Sequence, residues 1–210
     1  VTYDYQTNGG SSATKTSTTV NYNSAIDLTP TATKSGYTFV GWNTNKDATS
    51  GLSSLKMGTS NVTLYAIYKK EAVTLTAKFN ANGATLSSTS SVTCTLPAVY
   101  NNTAQATSCQ VSAPTITRSG YTIVGYNTSS SSKTNNSSYA SGKITLTTSN
   151  NNSTWYAITS KSVGATFYYY NGSAQATTST SCTMYNTASS CNYSVPSVVS
   201  ESVGPSSATY

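Results

Sequence analysis

The chain opens on "VTYDYQTNGG", where Val1, Tyr3 and Tyr5 alternate with polar residues. A period of two marks a strand buried on one face. The pattern returns in "VTLTAKFNANGA" from Val73 and in "VGATFYYYNGSA" from Val163. An Asn-Gly pair follows each time, at Asn8-Gly9, Asn82-Gly83 and Asn171-Gly172. Both residue types accept positive φ, so each pair predicts a tight turn. A second turn is predicted at Tyr22-Asn23, Tyr100-Asn101 and Tyr185-Asn186. Pro30 and Pro114 then lead, through Gly36 and Gly120, into "YTFVGWNT" and "YTIVGYNT". Simple alternation puts Tyr37, Phe39 and Gly41 on one face and Thr38, Val40 and Trp42 on the other, so a strand covered from both sides is expected. Gly41 and Gly125, inside these strands, predict a bulge or a close backbone approach. "VTLYAIY" (62–68) and "STWYAIT" (153–159) read as closing strands. Between them, "NKDATSGLSSLKMG" predicts a short helical turn around Leu52, Leu55 and Met57, whereas its counterpart "SSSSKTNNSSYASG" has fewer apolar residues.

The echoes divide the chain into three copies: residues 1–71, residues 72–161, and a third copy, 162–210, that carries only the front half of the pattern. A period of roughly 70 to 90 residues predicts tandem small domains, since solenoid units are shorter. The expected class is all-β to α+β, each domain a short mixed sheet with at most one short helix. A half-domain leaves a sheet edge and an apolar face open. The third copy is therefore expected to be completed by chain beyond Tyr210 or by a neighbouring chain, the latter making a filament subunit joined by strand addition.

Composition narrows the function. Charged residues make up only 8% of the chain and tyrosine outnumbers phenylalanine 17 to 3, which favours an ordered, β-rich fold with a polar surface. The net charge of +6 is scattered, with Lys69-Lys70 the only adjacent basic pair and no basic residue after Lys161. A phosphate-tracking surface needs a clustered patch, so nucleic acid is not an expected partner. No apolar run approaches the length of a membrane span. The chain opens on Val, which suggests a processed or excerpted piece of a longer product.

The order of motifs is specific: Asn8-Gly9-Gly10, Tyr22, Gly36-Tyr37-Thr38-Phe39, Gly41-Trp42, then Thr63-Leu64-Tyr65-Ala66. It resembles the Listeria–Bacteroides repeat, also known as the internalin-type B-repeat. Tyr68 stands where that family carries a final Trp. The second copy, with Gly120, Tyr121, Gly125, Tyr126 and Thr159, resembles it less closely. The resemblance implies tandem β-grasp-like domains in bacterial extracellular proteins, serving as stalk, spacer or adhesion modules.

The four cysteines sharpen the turn prediction. A two-residue turn at Asn101-Asn102 sets Cys94 opposite Cys109, and one at Asn186-Thr187 sets Cys182 opposite Cys191. Two disulfide-stapled hairpins, Cys94–Cys109 and Cys182–Cys191, are therefore expected, and with them an oxidising, extracellular or cell-surface location. Catalysis is not expected. With no histidine, a Ser–His or Cys–His site cannot be built, and the five acids are spread one or two per copy. No cofactor or metal is expected. Tyr168-Tyr169-Tyr170 puts aromatics on both faces of one strand, a possible interface. The leading reading is structural: a tandem-repeat stalk or a fibre subunit completed by a neighbouring chain. The rival is a surface module that binds a host protein or glycan through exposed Tyr and Asn.

Overall fold

The computed structural model describes residues 1–88, 90–171 and 174–195. Gly172 of the third Asn-Gly pair and the tail from Pro196 lie outside them. The fold is all-β, with no helix among the described residues. Five strands come from the first copy: β1 (Thr2–Asp4), β2 (Ser12–Ala13), β3 (Ala32–Thr33), β4 (Thr38–Asn43) and β5 (Thr63–Lys70). The second copy contributes β6 (Val73–Asn80), β7 (Thr85–Leu86), β8 (Ser91–Leu96), β9 (Val99–Tyr100), β10 (Ser108–Ser112), β11 (Ile116–Thr117), β12 (Thr122–Asn127), β13 (Tyr139–Ala140) and β14 (Lys143–Thr147). Two long strands follow, β15 (Thr154–Asn171) and β16 (Ala174–Tyr185).

These strands build two compact units. Unit 1 holds Val1–Thr76, Thr93–Val111 and Thr145–Asn151; unit 2 holds Ala77–Val92, Ser112–Ile144 and the described residues from Asn152 onward. In unit 1 the sheet order is β1-β5-β4. The first strand lies parallel to the closing strand, Tyr3 beside Leu64, and β4 lies antiparallel on its other side, Trp42 beside Ala66. Unit 2 repeats the plan in the order β12-β15-β6-β8, with Phe79 beside Trp155 in parallel and Tyr126 beside Ala157 antiparallel. Each closing strand is thus central and buried on both faces: Leu64, Ala66, Ile67 and Tyr68 in one unit, Trp155, Ala157, Ile158 and Thr159 in the other.

Edge-to-face aromatic contacts tie each core together. Tyr3 and Phe39 meet Trp42 at centroid distances of 5.1 and 5.4 Å, and Phe79 and Tyr139 meet Tyr126 at 5.2 and 5.6 Å. A buried aromatic with a polar tip needs an acceptor. The Trp42 indole N–H donates to the Pro30 carbonyl at 2.7 Å, and the Tyr126 hydroxyl donates to the Pro114 carbonyl at 3.1 Å. The exchange of Trp for Tyr between copies therefore keeps the same bond.

Two expectations from the sequence are overturned. Strands β4 and β12 are not covered on both faces. Each carries a β-bulge, at Phe39/Gly41 and at Ile123/Gly125, and the extra residue resets the alternation. In β4 Phe39 and Trp42 consequently turn to the same core while Val40 is exposed; in β12 Tyr126 is buried, and Ile123, the counterpart of Phe39, is exposed. The segment around Leu52, Leu55 and Met57 is not helical. It runs extended along residues 24–26, with Ile26 N–H donating to the Leu55 carbonyl and Met57 N–H to the Ser24 carbonyl, and its three apolar side chains pack on the core.

The bulge glycine has two reasons to be glycine. Gly41 has φ +145°, and a Cβ there would lie 2.9 Å from the Gly51 Cα. Gly36 has φ +74° but open space around it. Gly41→Ala is expected to destabilise unit 1 by about 2–4 kcal/mol, through strain and backbone overlap together. Gly36→Ala should cost about 1–2 kcal/mol, through conformation alone. Denaturant unfolding of the two variants checks the ranking.

Candidate functional site

The repeated motifs converge on one construction, built once in each unit: a seat for the asparagine at the tip of a disulfide-closed arm. In unit 1 the arm leaves β8 at Cys94 and returns to β10 at Cys109, the two joined by a disulfide with Cα atoms 6.1 Å apart. In unit 2 the arm leaves β16 at Cys182 and returns at Cys191, joined with Cα atoms 5.9 Å apart. The arms are not ladder-paired hairpins, as the turn arithmetic would have them. Among the described residues, β8 runs beside β6 and β16 beside β15, and the limbs returning from both tips are irregular over 103–107 and 188–191. The disulfide and side-chain bonds close each arm instead; Gln105 Nε2 donates to the carbonyls of Pro97 and Glu71.

At the tips, Asn101 and Asn186 take φ of 55° and 52°, the left-handed region that Asn tolerates. Each is the second residue of a turn, closed from Thr103 N–H to the Tyr100 carbonyl and from Ala188 N–H to the Tyr185 carbonyl. Only 7% and 4% of these two residues is exposed. A buried carboxamide must find partners for both ends. The Asn101 Oδ1 accepts from Tyr68 N–H at 3.1 Å, and its Nδ2 donates to the carbonyls of Lys46 and Ala48, each at 3.0 Å. The Asn186 Oδ1 accepts from Thr159 N–H at 3.1 Å, and its Nδ2 donates to the carbonyls of Ser130 and Ser132 at 3.0 and 2.9 Å. The backbone joins in: Asn101 N–H donates to the Tyr68 carbonyl and Asn186 N–H to the Thr159 carbonyl. Each tip thus adds one more pair of bonds on a buried closing strand, continuing the ladder that β9 forms with β5 and that β16 forms with β15.

Three further motifs shape the seat. The asparagine of "GWNT" and "GYNT" folds the loop that offers the carbonyls: Asn43 Oδ1 accepts from Asn45 N–H, and Asn127 Oδ1 from Ser129 N–H. The asparagine of each of the first two Asn-Gly pairs shares a carbonyl with the tip. Asn8 Nδ2 donates to Lys46 and Ala66, and Asn82 Nδ2 to Ser130 and Ala157. Finally, a basic residue covers the tip carbonyl. Lys34 Nζ donates to the carbonyls of Asn8 and Asn101 and to Asn102 Oδ1; the Arg118 guanidinium donates to the Asn186 carbonyl and Thr159 Oγ1. Burial pushes the Lys34 ammonium below the usual lysine value.

Gly36 and Gly120 place these cations. With φ of 74° and 72° they close the turns Lys34–Tyr37 and Arg118–Tyr121, which fold the cation over the ring, 4.1 Å from the Tyr37 centroid and 3.6 Å from the Tyr121 centroid. Of the residues singled out in the sequence, Gly36, Tyr37, Gly120 and Tyr121 therefore serve the seat directly. Gly41, Trp42, Gly125 and Tyr126 serve the core beneath it. The first Tyr-Asn turn is different. Asn23 has φ 59°, but its N–H donates to the Met57 carbonyl of the loop between β4 and β5 rather than to a closing strand, no cysteine flanks it, and Tyr22 is 72% exposed. Tyr168 is 69% exposed and Tyr169 half-buried, while the Tyr170 side chain lies outside what the structure describes. Lys34 and Arg118, Asn43 and Asn127 escaped the sequence reading, although their recurrence at one offset from the glycine of each copy marked them.

The geometry defines a class, a repeat of small mixed β-sheets in which each unit holds one asparagine-tipped, disulfide-closed arm. Residues 1–67 match the family model of the Listeria-Bacteroides repeat domain, so the first repeat is a member of that family, one common in extracellular surface proteins. Comparison with curated proteins and with solved structures gave no match. Two disulfides fit the same oxidising surroundings.

Asn101→Ala strips Tyr68 N–H and two carbonyls of their partners and is expected to destabilise unit 1 by roughly 2–4 kcal/mol. Asn23→Ala, on an exposed turn, is expected to cost about 1 kcal/mol or less. Hydrogen exchange at the Tyr68 amide, faster in the first variant and unchanged in the second, checks the assignment. Tyr68 gives a pH signature. Burial, with the nearby Tyr5 and Asp4, pushes its phenol up to about 12. The folded state holds this proton more tightly than the unfolded chain, so the stability linked to it is complete below the ordinary value of 10 and is lost as pH rises towards 12. The loss from Tyr68 is roughly 2 kcal/mol, read by denaturant unfolding from pH 9 to 12, and Tyr68→Phe should diminish the dependence, leaving what the likewise raised phenols of Tyr3 and Tyr126 contribute.

Proposed function

We propose that the chain is a non-catalytic stretch of an extracellular tandem-repeat protein, a stalk or fibre whose modules are clamped by the asparagine-tipped arms. The observation that carries this reading is the duplication of the seat from equivalent residues, each sealed by its own disulfide. The partners of each tip carboxamide are backbone groups, so the construction spends its polar chemistry on holding strands and loops together. Lack of histidine and the scatter of five acids support the same conclusion. Clamping one edge of a central strand suits a chain under tension, because that strand holds the rest of its sheet.

The rival reading, a surface module for a host protein or glycan, has one observation in its favour. An open polar cleft lies beside each tip, one of about 590 Å³ with Lys46, Asp47 and Tyr100, the other of about 600 Å³ with Lys133, Tyr185 and Thr187. Against it, the large exposed tyrosines, Tyr22 and Tyr168, come one to a unit and form no aromatic patch there.

Single-molecule stretching between the ends of the chain separates the two. The oxidised chain should open in steps that withhold roughly 5 nm and 3 nm, the contour of the 15 and 9 residues spanned by the disulfides, and release them on reduction. Asn101→Ala should lower the opening force of unit 1 and leave unit 2 unchanged. Opening forces no higher in the oxidised parent than in that variant, with selective capture by a glycan or host-protein array, would replace the structural reading with the binding one.

A further inference from the structure

The acids are not shared evenly among the copies. Four of the five, Asp4, Asp27, Asp47 and Glu71, come before Ala72, and none stands between Ala72 and Ser200. The same stretch holds five cations, Lys78, Arg118, Lys133, Lys143 and Lys161, and all five belong to unit 2. Unit 1 sets its four acids against six lysines. Among the described residues every ion pair lies in unit 1: Lys15 with Asp27, Lys46 with Asp47 and Lys69 with Glu71. In unit 2, Lys78, Lys133, Lys143 and Lys161 are exposed. A surface of one sign raises the local concentration of ligands of the other sign.

The fold collects part of this charge around the Cys182–Cys191 arm. Lys161 lies beside Met184 on the outgoing limb, and its ammonium sits 5.7 Å from the Tyr121 centroid. Lys133 Nζ sits 5.5 Å from the Tyr185 centroid, and Arg118 donates to the Asn186 carbonyl at the tip. Two open clefts meet at the returning limb, sharing Ser190 and Cys191 in their walls. One, of about 600 Å³, holds Lys133 with Ser130, Ser131, Thr183 and Asn192. The other, of about 530 Å³, holds Lys161 with Ser162 and Ser189.

The two units differ at the positions that set this charge. Counted from the bulge glycine, Asp47 corresponds to Ser131. Counted from Tyr68 and Thr159 on the closing strands, Lys70 corresponds to Lys161 and Glu71 to Ser162. In unit 1 these acids hold Lys46 and Lys69, each at 2.8 Å. In unit 2 the cleft lysines stand among serine and threonine hydroxyls instead. Acids lost where cations are kept is the pattern of a surface whose counter-charge comes from a ligand. The lining indicates the ligand's chemistry. Hydroxyls and a carboxamide suit the alcohol groups of a sugar, and ammonium groups suit its carboxylates or sulfates. A single-stranded nucleic acid needs open aromatic faces for its bases. Here the Tyr121 ring carries the Arg118 guanidinium at 3.6 Å, and the Tyr185 ring faces Lys133.

We propose that the two clefts meeting at the Cys182–Cys191 arm form a binding site for an acidic polysaccharide, with Lys133 and Lys161 pairing its anionic groups. The site is a second property of the chain and does not replace the structural reading: an arm that bears load through its seat still presents these clefts.

The test titrates the oxidised full chain with two probes, an oligogalacturonate, which offers carboxylates, and a sulfated dextran oligomer, which offers sulfates. Saturable binding of at least one, weakened by added salt and absent for the methyl-esterified or unsulfated oligomer, is the expected result. The probe that binds more tightly identifies the anionic group. Lys133→Gln with Lys161→Gln should weaken binding at least about tenfold. Ser131→Asp with Ser162→Glu, which restores the acids of unit 1 and keeps both lysines, should do the same. Lys46→Gln with Lys56→Gln removes as much charge from unit 1 and should leave binding unchanged. Unaltered hydrogen exchange at the Thr159 amide checks that each variant keeps its seat. Binding of neither probe, no weakening by the Lys133 and Lys161 changes, equal weakening by the unit 1 pair, or equally tight binding of single-stranded DNA of the same charge overturns the proposal. Stretching reads the load on the arms and titration reads this surface, so the two readings fail separately.

Discussion

Everything in these two units leans on one edge of a buried strand. A closing strand in the middle of a sheet must have its N–H and carbonyl groups paired on both edges, and where a neighbour's ladder stops the next pair still needs partners. At Tyr68 and Thr159 that pairing comes from an asparagine delivered by a distant arm. A carboxamide suits the task because it carries an acceptor and two donors in one plane, and the seat uses all three. Aspartate would place a carboxylate against two carbonyls, and leucine would leave one N–H and two carbonyls dry. The positive φ at the tip further restricts the choice to residues that tolerate it.

The disulfides follow from this demand. An arm that must reach a fixed seat but has no ladder between its limbs loses much conformational freedom on docking. Joining Cys94 to Cys109 and Cys182 to Cys191 removes part of that freedom beforehand. By the chain-entropy account a loop of about 15 residues is stabilised by about 3 kcal/mol, similar in size to the cost expected for losing the tip's hydrogen bonds. The turn at Tyr22-Asn23 makes the complementary point. It binds a neighbouring loop through the Met57 carbonyl, reaches no closing strand, and has no cysteines.

Much of this was legible in the sequence. Alternation placed β1, β6 and the closing strands, glycine inside an apolar strand announced the bulges, and equal spacing from each Tyr-Asn turn indicated how the cysteines pair. What was not legible has a common cause. Bonds between residues more than fifty apart, such as Asn101 to Lys46, leave no local pattern. The bulge at Gly41 was foreseen, yet its consequence for Phe39 and Trp42 was not, because one inserted residue reverses every face assignment downstream. The helical turn expected at Leu52–Met57 rested on apolar spacing alone, and the backbone there is held extended by residues 24–26.

Comparison of the two seats shows why the repeat can drift in sequence without losing its construction. Lys34 becomes Arg118, Asn102 becomes Thr187, Tyr68 becomes Thr159, and the loop carbonyls pass from Lys46 and Ala48 to Ser130 and Ser132. The groups that receive the tip asparagine are backbone atoms, which any residue supplies. Side chains are restricted only where they define the backbone path: the tip asparagine, the glycine of the cation turn, the bulge glycine, and the asparagine that folds the carbonyl loop. A repeat held together in this way is recognisable by a few turn residues and by little else. That accounts for a second unit with the same bonds as the first, although the family match ends at residue 67.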